Sequence, residues 1–136
     1  MLLRRGIASW NSRGLWVSRK ADRARKLAVL YRLARKSALV ALQEVHATPG
    51  IWDELLQWAL FRGLWVLGDP TSAIAGGLVA LVHKKDKDLW RSFYLEKDST
   101  QVLQYLGAES PGEVINVHLA PISLALRREQ IGKITA

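Results

Sequence analysis

The chain reads as one α/β domain, a mixed β-sheet with helices on one face. Three observations predict it. Strand-like and helix-like segments alternate through the first half, giving two βα units. The second half holds only strand-like runs separated by turn residues, a β-meander. The runs over residues 38–42 and 77–82 are apolar or glycine at every position, as strands buried on both sides are. With 136 residues, 49% of them apolar, and no repeat or linker, the whole of 1–136 is expected to be one structural unit with a real core.

Residues 7–11 predict a short strand. Ser18 is a plausible N-cap for a helix over about 19–36, in which Leu27, Leu30, Tyr31 and Ala34 fall on one face at i, i+3, i+4 and i+7. Residues 38–43 predict a buried strand. Thr48-Pro49-Gly50 opens a second helix over about 51–62, with Ile51, Leu55, Trp58, Ala59 and Arg62 in one stripe. A strand over 64–67 is closed by the turn residues Gly68-Asp69-Pro70. Further strands are expected over about 77–83, 89–95, 101–106 and 113–119, and a last helix from near Ile122. Neither two helices nor a single sheet can cover both apolar faces. The face opposite the helices is therefore expected to be open, and to drive self-association or pairing with a second chain.

Composition excludes several classes. The absence of cysteine rules out disulfides and thiolate metal sites. The start Met1-Leu2-Leu3-Arg4-Arg5-Gly6 lacks the apolar run of a signal peptide, and the apolar stretch over 73–82 is far short of the roughly 20 residues that span a bilayer. The expectation is an intracellular protein, cytoplasmic or nuclear, with no membrane partner. Charge is concentrated at one end. Residues 1–37 carry eleven Lys or Arg against one acid, Asp22, whereas the remaining 99 carry nine basic and eleven acidic groups, so the first quarter supplies all of the net +8. Such a region attracts polyanions by counterion release. Arg13, Arg19, Lys20, Arg23 and Lys26 are the candidate nucleic-acid contacts, although the same pattern also describes the solvated face of a basic helix.

Three strands end in polar residues able to do chemistry: Asn11, Glu44 and His118. The carboxyl ends of strands are where α/β proteins hold ligands. Taken singly, each has a structural explanation: a solvated carboxylate, an Asx-type backbone bond for Asn11, a rim histidine for His118. His46 and His83 are expected at the surface. Trp10, Trp16, Trp52, Trp58, Trp65 and Trp90 sit mostly at core-periodic positions and are expected to pack.

Taken in order, Ser9-Trp10-Asn11-Ser12-Arg13-Gly14-Leu15, then ALVALQEV, then GGLVALVHKK, then VINVHLAP followed by RREQ, the chain resembles the first half of the endonuclease/exonuclease/phosphatase superfamily, the deoxyribonuclease-I-like phosphodiesterases. The resemblance implies half of a four-layer α/β/β/α sandwich. It implies Glu44 as ligand of Mg²⁺ or Mn²⁺, Asn11 beside the metal and phosphate, and His118 on the scissile phosphate, with Arg127 and Gln130 in the following R-x-x-Q helix. A Mg²⁺ ion held by one carboxylate plus substrate phosphate is chemically adequate. Nucleic acid is the favoured substrate, with other phosphorylated substrates open. The family's Asp-x-Asn motif and terminal Asp-His pair are absent, since Asn occurs only at 11 and 116 and no Asp-His dipeptide exists. The resemblance therefore implies a truncated, impaired hydrolase domain. A non-catalytic basic nucleic-acid-binding or interaction module is the alternative, and a non-functional gene fragment a third.

Overall fold

A computed structural model describes residues 5–69, 77–96, 100–107 and 112–117. The order of elements is β1 (Ile7–Asn11), α1 (Lys20–Lys36), β2 (Leu39–Gln43), α2 (Pro49–Phe61), β3 (Leu64–Leu67), β4 (Val79–His83), a 3-10 helix (Lys84–Leu89), β5 (Trp90–Glu96), β6 (Thr100–Tyr105) and β7 (Gly112–Val117). The class is α/β, as the sequence predicts.

Two sheets form. The first has the order β1-β2-β4-β3, with β1 parallel to β2 and the other pairs antiparallel. The parallel pair follows from the α1 crossover, because a parallel neighbour needs a long connection. The meander β5-β6-β7 forms a separate antiparallel sheet.

Strand alternation sends successive side chains to opposite faces, and this explains why β2 and β4 are apolar throughout. Val40 and Leu42 of β2 and Val79 and Leu81 of β4 meet Leu30 and Ala34 of α1 and Trp52, Leu55 and Ala59 of α2. Leu39, Ala41, Ala80 and Val82 point the other way and pack on Trp90, Leu103 and Tyr105 of the second sheet. Trp90 and Tyr105 anchor that second core with ring centroids 5.1 Å apart.

The second sheet corrects one expectation. The face opposite the helices is interior, covered by the chain's own second sheet, so the described residues build three layers, α/β/β, and this face is not the open one expected. The single sheet with one bare side mistook a stacked meander for an extension of the first sheet. Periodicity reports that a strand is buried and is silent on what buries it.

Helix starts differ in kind. Thr48 caps α2, its side-chain oxygen accepting from Ile51 N–H at 3.4 Å, with Pro49 in the first turn. For α1, Arg19 and not Ser18 occupies the cap position, with no side-chain bond. The expected helix beyond Ile122 and the end of the last strand, including His118, Arg127 and Gln130, lie outside the described residues. Among the described residues no helix is long and apolar enough to cross a membrane.

Candidate functional site

The parallel register pairs Asn11 with Gln43. Asn11 and Glu44 thus emerge at the same end of the first sheet. Beyond β1 the chain keeps following β2 as a loop: Ser12 N–H donates to Gln43 O at 3.0 Å, Gly14 N–H to Glu44 O at 2.7 Å, and Leu15 N–H to Val45 O at 3.3 Å. The buried Ser12 hydroxyl adds bonds to Gln43 O at 3.1 Å and Glu44 O at 3.2 Å. The Asn11 side chain accepts from Arg13 N–H at 3.0 Å, an Asx turn that admits the left-handed Arg13, φ 51°.

Glu44 and His46 are also left-handed, with φ of 55° and 50°. Between them Val45 is 1% exposed, a core residue, and its N–H donates to Gly77 O at 3.1 Å. Gly77, itself at φ 69°, has to be glycine: a Cβ there would lie 2.4 Å from Val45 N and 2.9 Å from Glu44 C. With Val45 pinned, the neighbours on either side turn outward together, bringing His46 Nε2 to 3.9 Å from Glu44 Oε1.

A buried amide network stands behind Glu44, between the two sheets. Asn116 of β7 donates to Leu42 O at 2.9 Å, Val79 O at 3.2 Å and Gln101 Oε1 at 3.1 Å. Its own carbonyl accepts from Gln43 Nε2 at 2.7 Å, and Gln43 also donates to Ser9 Oγ at 3.1 Å. Gln101 Nε2 continues the chain to Leu67 O and Ser92 Oγ, each at 3.0 Å. These bonds satisfy amides that would otherwise be costly to bury, and they tie β7 to the Glu44 end of β2.

The candidate basic contacts divide. Arg13, Arg19 and Lys20 are exposed. Arg19 lies 3.9 Å from Asp22, which Arg25 also pairs. The Arg23 guanidinium stacks over Trp16 at 5.6 Å. Lys26 does not reach outward as a phosphate contact: its ammonium donates to the carbonyls of Ser12 at 2.7 Å, Arg13 at 3.2 Å and Gly14 at 2.7 Å. It is a structural clamp between α1 and the loop after β1, a role set by loop geometry that helical spacing cannot disclose.

Two features escaped sequence reading. His46 is exposed, as expected, and is also the neighbour of Glu44; the signal for the pairing was its i+2 spacing. The polar positions Gln43, Gln101 and Asn116, each interrupting an apolar strand pattern, were the signal for the inter-sheet network. His83 is half-buried, its Nε2 lying 3.2 Å from Ser37 O.

As a metal site, the strand end offers one partly exposed carboxylate and an imidazole. Among the described residues no three His, Cys, Asp or Glu side chains gather. Two such side chains are too few for a closed protein cage. Compared with known proteins, the chain matches no family model and is not significantly similar to any curated protein.

Proposed function

We propose that the chain is a metal-dependent phosphodiesterase-type domain fragment of the endonuclease/exonuclease/phosphatase kind, derived from hydrolysis of phosphodiester bonds in nucleic acid. One observation supports the reading above all. Asn116 donates through Nδ2 to Leu42 O and accepts through Oδ1 from Gln43 Nε2, which brings the described end of β7 against the Glu44 end of β2, with Asn11 on the neighbouring strand at that same end. Glu44 would hold Mg²⁺ or Mn²⁺, which supplies charge neutralisation at the phosphoryl oxygens. Asn11 would orient the phosphate, and His118 would donate a hydrogen bond to it as charge develops. The residues of this chain include neither an Asp-x-Asn motif nor an Asp-His pair, so the chain by itself is expected to be slow, because parts that act as a unit cost orders of magnitude in rate when incomplete.

The test is nicking of supercoiled plasmid, and cleavage of single-stranded RNA, by the full chain with Mg²⁺ or Mn²⁺. Slow, metal-dependent cleavage lost in Glu44→Ala is expected. Cleavage indifferent to Glu44→Ala would refute the assignment.

A second reading, a non-catalytic polyanion-binding module, is favoured by the exposed Arg13, Arg19 and Lys20. Salt-sensitive binding to DNA without metal-dependent cleavage would select it.

A further inference from the structure

We propose that the chain pairs with a second copy of itself through its helix layer, Phe61 of each copy entering the groove between α1 and α2 of the other. The inference stands apart from the hydrolase reading and involves no metal. Its first support is the groove. α1 and α2 pack on the same face of the first sheet, and they run side by side in one direction, because each returns from one of the parallel strands β1 and β2. Between them opens a groove of about 460 Å³, lined by Ala24, Leu27, Ala28 and Tyr31 of α1 and by Trp58 and Arg62 at the end of α2. The two alanines, at exposed positions, leave the trough open. Its polar groups are few: the Tyr31 hydroxyl, and the Arg62 guanidinium, which lies 4.7 Å over the Trp58 ring and donates to Trp58 O at 3.1 Å. Such a lining lacks the convergent polar groups that orient a small ligand. It suits an apolar side chain.

The chain itself supplies that side chain. Phe61 ends α2 with 92% of its surface exposed, three residues after Trp58 and so beside the groove wall. A ring left in water forfeits its burial, and apolar groups exposed amid polar ones mark interaction surfaces. Charge fits the same pairing: α1 carries seven Lys or Arg against Asp22, whereas α2 carries Asp53 and Glu54 and no base. A two-fold axis parallel to the helices lays α2 of each copy over α1 of the other and keeps every residue at its own level. Phe61 is at the level of the groove, since Trp58 and Arg62 line it, and therefore arrives at Ala28 and Tyr31 of the other copy. Asp53 lies eight residues before Phe61, as Lys20 lies eight before Ala28, and both are exposed. The carboxylate thus meets the ammonium about 12 Å along the helices from the ring. Two helices about 10 Å wide and 20–25 Å long give each copy a face of about 500 Å², at the lower bound for a specific interface. The dimer is therefore weak, with a dissociation constant on the order of 10 μM.

Sedimentation equilibrium of the full chain across the micromolar range tests this, at about 0.15 M ionic strength, where the repulsion from a net charge of +8 is screened beyond about 8 Å. A monomer–dimer equilibrium is expected. Phe61→Asp, at a position too exposed to matter for folding, should weaken association at least about tenfold, and Ala28→Glu in the groove should do the same. Lys20→Asp and Asp53→Lys should each weaken it about threefold, and the two in one chain should restore it, which a merely structural role would not produce. Far-ultraviolet circular dichroism should report the same helix content in every variant. Phe93→Asp in β5, where the ring is 39% exposed, is the control and should leave the dimer intact. A chain that stays monomeric throughout, or a dimer indifferent to Phe61→Asp, overturns the proposal. A dimer lost in Phe93→Asp but kept in Phe61→Asp overturns it too, and moves the interface to the second sheet.

Discussion

At Gly77 a single hydrogen atom in place of a side chain decides whether the candidate site forms. The clash that a Cβ would suffer is with the backbone of Glu44 and Val45, which cannot move aside without breaking the bond from Val45 N–H to Gly77 O. Gly63 has nearly the same φ, 70°, but open space around it. Gly63→Ala should thus lose only the left-handed penalty, about 1 kcal/mol, while Gly77→Ala should lose roughly 2–4 kcal/mol as strain and a broken hydrogen bond add. Urea midpoints of the two variants measure the contrast. Gly77→Ala should also remove the metal binding proposed for Glu44, whereas Gly63→Ala should leave it intact.

At the scale of elements, α1 has two jobs that the list of its basic residues does not separate. Lys26 fastens the loop after β1 through three carbonyls. Arg19 and Lys20 face solvent. Hydrogen bonds from a charged donor are worth about 1.5–3 kcal/mol, so Lys26→Ala should lower stability by about 1–2 kcal/mol in urea denaturation. Arg19→Glu with Lys20→Glu should change stability by under about 0.5 kcal/mol and weaken the proposed DNA binding measurably at low salt. If Lys26→Ala alone were to weaken DNA binding with unchanged stability, the clamp would be the wrong account. The strand pair β2 and β7 offers a second case. Asn116→Leu would strand Gln43 and Gln101 beside an apolar group, costing roughly 2–4 kcal/mol, and a double substitution with Gln101→Leu should cost less than the sum. Thermal denaturation of the three variants checks both statements.

The whole molecule is organised by β2 and β4, which line both cores. A helix-side core and an inter-sheet core that share the same strands have no boundary along which to separate. Trp52 reports the first core and Trp90 the second. Variants leaving one of these tryptophans at a time should show the same fluorescence midpoint in urea, coincident with the far-ultraviolet circular dichroism transition, the behaviour of one cooperative unit. Midpoints well apart would mean that β5–β7 melts as a separate layer.

What the sequence determined by itself was local. Alternation, capping residues and turn residues placed each described strand and both α-helices within a few positions, though not the 3-10 helix over Lys84–Leu89, because those signals depend on neighbours along the chain. They also put Asn11 and Glu44 at strand ends and the basic surplus in α1. Only the tertiary structure decided that the meander stacks as a second sheet, that Lys26 is a clamp, that Asn116 bridges β7 to β2, and that His46 stands beside Glu44. Each of these depends on partners far apart in the chain, or on a left-handed backbone that a distant glycine permits. Such contacts are set by packing, in which any buried apolar face satisfies the same pattern whichever element covers it.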